Sequence, residues 1–302
     1  MAKKMRIAVV GAGGVGGYLA GKLVQKDLVD VYLVARGTHL EAIEKSGLQI
    51  RDAEETFTVH PNTAFPEEDV PLDAVFLAVK SYDFEAACVQ VAPRIDDETL
   101  VIPLANGVDH KAKIETLLGK GIVYEGCVYI ISHIEAPGVI RKKSPLFYMV
   151  FGDTAITPKM EILAAVLNES GLKTKLTADA RTECWKKYLF IATFATLTAY
   201  YGESMDVVFA KHRDEVDTVL SEIRTVADAL GVPIGEKEIE KVIKQAQNLP
   251  EGAKTSMQLD FEAGKKTELE SLTGYIVHEA QKMGLEVPLM RKMYENLKAR
   301  NV

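Results

Sequence analysis

The sequence predicts two domains of different class in one chain, an α/β domain followed by an all-helical one, and three observations carry that reading. Over the first half, short apolar runs alternate with segments of helical period, the signature of strands joined by crossover helices. A glycine-rich turn links the first apolar run to the first helical segment. From residue 178 onward, every long segment has helical period and no strand is needed. The division follows: residues 1–177 as a sheet-containing α/β domain, residues 178–302 as an all-helical domain.

The elements read in order as follows. RIAVVG (6–11) is a buried strand and GVGGYLAGKLVQK (14–26) the helix after it. DVYLVA (30–35) is a second strand, followed by a helix started by Thr38 and stopped by Gly47. LQIRDAEETFTVH (48–60) alternates like a hairpin. Residues 73–80 and 99–107 are two further buried strands ending in polar residues, with helices expected at 81–92 and 109–118. Residues 121–152 turn β-rich around Pro137 and Gly138, a meander expected to close the sheet. A helix at 157–170 and a short strand at 172–176 complete the half. Helical stretches then follow at 180–200, 205–231, 235–247, 267–283 and 288–299.

Composition excludes several classes. Of 302 residues, 47% are hydrophobic and 26% charged, as in ordinary globular chains, and the net charge of −7 argues against a nucleic-acid partner. The nearest approach to a membrane span is CWKKYLFIATFATL (184–197), shorter than the ~18 apolar residues a span needs, so it reads as a core helix and no membrane partner is expected. The N-terminal apolar stretch breaks at glycines and lacks a cleavage-site pattern. Cys88, Cys127 and Cys184 are odd in number and widely spaced, which fits neither a disulfide framework nor a zinc site. A cytoplasmic address and no metal are expected.

Gly11, Gly13 and Gly16, with Gly14 between them, form a GxGxxG turn in the strand–helix context that a Rossmann-type fold requires. The first glycine permits the tight turn, the second admits a pyrophosphate close to the backbone, and the third lets helix pack on strand. The helix N-terminus beyond it favours anions. An NAD site usually carries an acid about 20 residues on, to accept from the ribose 2′-hydroxyl. Arg36 stands there instead, with no acid beside it in sequence, and a guanidinium suits a 2′-phosphate. NADPH/NADP+ is the expected cofactor. Lys80 and Asn106 fall at strand ends, where open sheets bind ligands.

Lys186 and Lys187 sit at the mouth of the apolar helix. Either could lay its stem on apolar surface and keep its ammonium in water, or act as an acid whose pKa is lowered by burial. Glu183, four residues before Lys187, offers a surface ion pair as the plain alternative. Spacing does not choose between the lysines. Further on, TELE (267–270) fits a capping box with Thr267 as N-cap and Glu270 reaching back. That places Glu268 in the first helical turn, on the face of Leu272, Ile276, Ala280 and Met283, where a carboxylate needs a partner or a ligand. His133, His212 and His278 have no convergent partners in sequence and read as structural.

The chain resembles the ketopantoate reductases (2-dehydropantoate 2-reductases) almost end to end. The resemblance rests on GAGGVGGYLAG (11–21), ARGTHLEAIEKSGLQI (35–50), DAVFLAVKSYD (73–83), LANGV (104–108), CWKKYLF (184–190) and TSMQLDFEAGKKTELESLTGYIV (255–277). It implies that Lys187 is the catalytic lysine and that Glu268 contacts substrate and nicotinamide ribose. It gives Ser256 to the substrate carboxylate, Asn106 to both ligands, and Arg36 and Lys80 to the 2′-phosphate side. It also implies a Rossmann domain and a helical domain with the active site in the cleft. The activity it implies is NADPH-dependent reduction of ketopantoate to pantoate, for pantothenate and coenzyme A.

The pattern breaks at two positions. Where the family commonly carries substrate-facing asparagines one and two turns after the lysine, this chain has Ile191 and Ala195. Each lost hydrogen bond would cost about 1–3 kcal/mol if the site normally makes it. A reductase of a less polar 2-oxo acid is therefore an alternative, and a non-catalytic NADP(H)-binding regulatory protein is another. The partner expected in either enzymatic case is a small-molecule 2-oxo acid, with a homodimer left open.

Overall fold

The computed structural model describes residues 4–66 and 70–300. The chain separates into two compact units, Met1–Ala105 with His110–Ala180, and Asn106–Asp109 with Arg181–Val302. The division at 177/178 leaves Asn106–Asp109 in the first domain, whereas their contacts place them in the second unit.

The first unit runs β1 (Arg6–Val10), α1 (Gly14–Lys26), β2 (Asp30–Val34), α2 (Gly37–Ser46), β3 (Leu48–Arg51), β4 (Thr56–Val59), β5 (Ala74–Leu77), α3 (Phe84–Val91), β6 (Leu100–Pro103), α4 (His110–Leu118), β7 (Ile122–Val123), β8 (Glu125–Tyr129), β9 (Ser132–Ala136), β10 (Val139–Lys142), β11 (Tyr148–Gly152), α5 (Pro158–Glu169) and β12 (Thr174–Leu176). A parallel five-stranded sheet in the order β2-β1-β5-β6-β7 forms its centre. Along β1 the two-residue period sends Ile7 and Val9 into one apolar cluster and Ala8 and Val10 into another. Both faces are therefore covered, which explains the unbroken apolar strands. The strand order reverses at β1, with β2 on one side and β5 on the other, and the glycine turn leaves β1 at that switch point.

The expected meander does not close this sheet. Only β7 extends it. The turn at Gly138 (φ 77°) folds β9 onto β10, which pairs in parallel with β3 in a second sheet, β4-β3-β10-β9. β8, β11 and β12 make a third, three-stranded sheet. The cause lies on α1, where Cβ atoms at Gly17 and Gly21 would meet Ile140 and Ile50 at 2.7 and 2.5 Å. Two missing side chains thus let β10 and β3 pack across the helix. A buried cluster fixes the same contact, with Lys142 Nζ and Tyr18 Oη both donating to Asp52 Oδ2, at 2.8 and 2.9 Å. Burial and that carboxylate together push the Tyr18 pKa upward.

The second unit comprises α6 (Ala180–Tyr201), α7 (Met205–Lys211), α8 (Arg213–Ala229), α9 (Glu236–Ala246), α10 (Ser256–Glu262), a π-helical turn (Glu270–Gly274), α11 (Tyr275–Met283) and α12 (Pro288–Arg300). Its core gathers Trp185, Tyr188, Leu189 and Phe194 of α6 with residues of α8, α11 and α12. Such an all-round apolar helix belongs at the centre of its domain. Three expectations change here. The stretch 205–231 breaks at His212 (φ −120°, ψ 41°) into α7 and α8. α10 lies outside the expected helices, because seven residues give too few periodic positions to stand out. The helix expected over 267–283 starts late and contains the π turn.

Candidate active site

Each glycine of the first turn has its own reason. Gly11 takes φ 101°, and a Cβ there would meet Val79 Cγ1 at 2.8 Å. A Cβ on Gly16 would collide with the Gly11 carbonyl, and one on Gly14 with the Ser132 carbonyl. Gly13 differs. It is the N-cap of α1, and a Cβ there meets no protein atom within 4 Å. Nothing in the fold demands glycine at that position, so the open space beside it suits a ligand approaching the backbone. The first-turn N–H groups of a helix have no intrahelical acceptors, and α1 has no acid in that turn to repel an anion. The arrangement fits the pyrophosphate of a dinucleotide.

At the end of β2, Arg36 rather than Thr38 is the N-cap of α2. Its backbone is extended (φ −145°, ψ 158°) and its carbonyl accepts from Leu40 N, so the helix begins one residue before the threonine. The Arg36 side chain is 86% exposed, and its Nη2 donates to Asp83 Oδ2 at 3.0 Å. The fold thus brings an acid to Arg36 that the linear sequence does not. Lys80 follows β5 on the same edge of the sheet, three residues before Asp83. The neighbouring His39 of α2 accepts from Gly138 N at 2.9 Å through Nδ1, and burial lowers its pKa. It pins the β9–β10 turn as a neutral imidazole. Neither Asp83 nor His39 was expected at the site. The available signal was that both stand within four residues of an expected cofactor position.

In the second unit, Lys187 Nζ donates to Asn106 Oδ1 at 2.7 Å, so these two expected site residues meet. Asn106 lies in the loop after β6, with Val108 packed on the helical core and Gly107 at φ 141°. Glu183 holds Lys186, three residues on, at 3.2 Å. Lys186 thus bonds a half-buried carboxylate of its own helix, and Lys187 bonds a loop amide. Beside Lys187, fully buried Tyr188 donates to the Leu272 carbonyl at 2.5 Å. Burial, with the Asp109 charge nearby, drives the Tyr188 pKa well upward, which keeps it a neutral donor.

That carbonyl belongs to the π turn, which lies just after Glu268. The expected capping box does not form. Helical backbone begins at Leu269, whose N–H donates to Thr267 Oγ1 at 3.3 Å, and Glu270 instead accepts from Tyr294 Oη at 2.8 Å. Glu268 is consequently the residue before the helix rather than in its first turn, yet it is only 3% exposed. A wide turn inserts one residue into the helical ladder, a device frequent at functional sites. Here Thr273 of the turn also bonds Thr196 of α6, Oγ1 to Oγ1, at 2.7 Å. Ser256 is exposed at the start of α10, and Thr255 before it caps the helix by accepting from Gln258 N. Ala195 is packed in the core at 1% exposure, while Ile191 is partly buried against the same cluster. No group of metal-ligating side chains occurs among the described residues. Nor is any described helix long and apolar enough to cross a membrane. His212 stacks on Tyr201 at 3.6 Å and bonds Glu203 through Nε2 at 3.0 Å, and His278 meets Tyr294 edge-on at 5.3 Å.

Comparison with known proteins identifies the family. The family model for ketopantoate reductase PanE/ApbA matches residues 7–155, and that for its C-terminal part matches 179–301. An uncharacterized oxidoreductase YkpB of Bacillus subtilis is 31% identical over 97% of this chain and 98% of its own. A 2-dehydropantoate 2-reductase of Mesorhizobium japonicum is 31% identical over 90% of both chains. The crystal structure of a PanE/ApbA family ketopantoate reductase from Ralstonia eutropha superposes with a TM-score of 0.89, at 26% identity and 98% coverage of both chains. The chain belongs to the ketopantoate reductase family and is an oxidoreductase acting on a CH–OH group.

Proposed function

We propose that the protein reduces ketopantoate to pantoate with NADPH, with Lys187 as proton donor. The observation that supports this reading best is the 2.7 Å bond from Lys187 to Asn106, since it joins two residues to which the resemblance gives site roles. Gly11, Gly13, Gly14, Gly16, Arg36 and Lys80 would hold the cofactor, a role that the family resemblance also gives to Asn106 and Glu268. Bound there, it would supply a hydride to the ketone carbon.

The protein's own groups do the rest. The Lys187 ammonium donates to the ketone oxygen, stabilises the charge that develops on it, and delivers the proton. Asn106 fixes the direction of the ammonium by accepting one of its N–H bonds. Ser256, exposed at the head of α10, offers a hydroxyl to the substrate carboxylate. Glu268, buried at the head of the π turn, accepts from hydroxyl groups of substrate and ribose. The three buried free cysteines suit the reducing cytoplasm.

Ile191 and Ala195 favour a second reading, in which the same chemistry acts on a less polar 2-oxo acid. Both positions offer only hydrocarbon. The test is NADPH oxidation with ketopantoate beside a panel of 2-oxo acids. Ketopantoate should exceed the others in kcat/KM by at least about tenfold. Preference for an apolar acid would install the second reading. Tight NADPH binding with no turnover on any of these acids would overturn both substrate readings.

A further inference from the structure

We propose that Asp83 sets the cofactor preference of this site by competing with a ribose 2′-phosphate for Arg36. The inference rests on the reading of the glycine turn as a dinucleotide site and concerns which dinucleotide it favours. β2 and β5 flank β1 in the sheet, so the chain leaving each comes out beside the glycine turn, with Arg36 after β2 and Lys80 and Asp83 after β5.

Asp83 is the N-cap of α3, a position where an aspartate ordinarily accepts from its own helix. Here its carboxylate makes no such bond and is turned to Arg36 Nη2 at 3.0 Å. Arg36 likewise makes no side-chain cap for α2. The ion pair therefore joins two helix N-termini at the edge where the adenosine ribose of a dinucleotide would lie. Arg36 is 86% exposed and Asp83 27%, so the guanidinium has room to move while the carboxylate is the better anchored of the two.

Two consequences follow from charge. A 2′-phosphate must take Arg36 from Asp83 and then remain next to a carboxylate, and both effects weaken NADPH. A 2′-hydroxyl can donate to the same carboxylate, as in sites that select NAD, which strengthens NADH. Arg36 and Asp83 thus pull the preference in opposite directions, and the pair narrows the gap between the two cofactors.

The test is a titration of the intact protein with NADPH and with NADH, followed by nicotinamide fluorescence, for wild type, Asp83→Asn and Asp83→Glu. Asparagine is nearly isosteric with aspartate, and the Asp83 side chain makes no cap bond to α3, so the substitution removes the charge without removing a helix cap. The ratio Kd(NADH)/Kd(NADPH) should rise about tenfold in Asp83→Asn, the size expected for removing a charge a few ångströms from a dianion in a solvated site. Asp83→Glu should stay within about threefold of wild type. The Asp83→Asn effect should shrink between about 50 mM and 500 mM salt. A ratio within twofold of wild type, or two dissociation constants that move in parallel, overturns the role of Asp83 while leaving the dinucleotide site intact. Failure of wild type to bind either dinucleotide overturns the reading of the glycine turn, and this inference with it.

Discussion

Between Gly11 and Gly16 the groups offered to a ligand are backbone N–H groups, exposed by the removal of side chains. On α6 the backbone is sealed inside a 22-residue helix, and only side chains such as Lys187 are on offer. The first region tolerates change where space is open and fails where backbone touches backbone. The second depends on what holds each side chain in place, and its supports come from distant parts of the sequence, with Asn106 lying 81 residues from Lys187 and Leu272 lying 84 from Tyr188. A backbone site is thus a local property of a few residues, whereas a side-chain site is a property of the packed domain.

Substitutions can break this contrast. Asn106→Ala removes the acceptor that holds Lys187, and kcat should fall about a hundredfold, well beyond any loss of cofactor affinity from its proposed contact with the dinucleotide, as misplacing a reacting group does. Steady-state kinetics beside a binding titration check this. A loss confined to KM would mean that Asn106 only binds substrate. In the glycine turn, Gly13→Ala should weaken NADPH about tenfold with an unchanged melting temperature, because its Cβ meets no protein atom. Gly16→Ala should lower the melting temperature itself, because its Cβ runs into the Gly11 carbonyl. Equal melting losses in both variants would remove the distinction.

Two smaller effects test the supports of the helical unit. Tyr188→Phe leaves the Leu272 carbonyl buried without its donor and should cost about 1–3 kcal/mol in denaturant unfolding. Glu222 on α8 accepts from Leu289 N and Met290 N at 2.9 and 2.7 Å, capping α12, and burial raises its pKa. A carboxyl with a raised folded pKa favours the folded state most at low pH, and that contribution is lost as pH climbs through the folded value. Glu222→Gln, which does not titrate, should therefore gain on wild type in melting temperature as pH rises from about 4 to about 7. A difference that stays constant across that range would mean the carboxyl is not perturbed.

The same contrast explains what could be read from the amino acids. β1, the glycine turn and α1 were legible because their pattern is local: a buried apolar run, three spaced glycines and a helical period. The pairing of β10 with β3 was not, since it depends on Gly17 and Gly21 of α1 admitting Ile140 and Ile50 from far along the chain. The apparent capping box at Thr267 failed for a related reason. Tyr294, 24 residues on, takes the Glu270 carboxylate that the local motif would have used. Arg36 was placed correctly at a strand end, but its partner Asp83 is 47 residues away and invisible to spacing. For the lysine pair, spacing from Glu183 admitted either choice, and only the folded chain turns Lys186 to Glu183 and Lys187 to Asn106.

The most direct test substitutes each lysine in turn and follows NADPH oxidation with the best 2-oxo acid. Lys187→Met should lose between about a hundredfold and ten-thousandfold in kcat, the span attributed to a positioned acid. Lys186→Met should keep kcat within about threefold, because it gives up only a half-buried ion pair with Glu183 of its own helix. NADPH affinity should survive in both. Near-full activity in Lys187→Met with the loss in Lys186→Met would contradict the account.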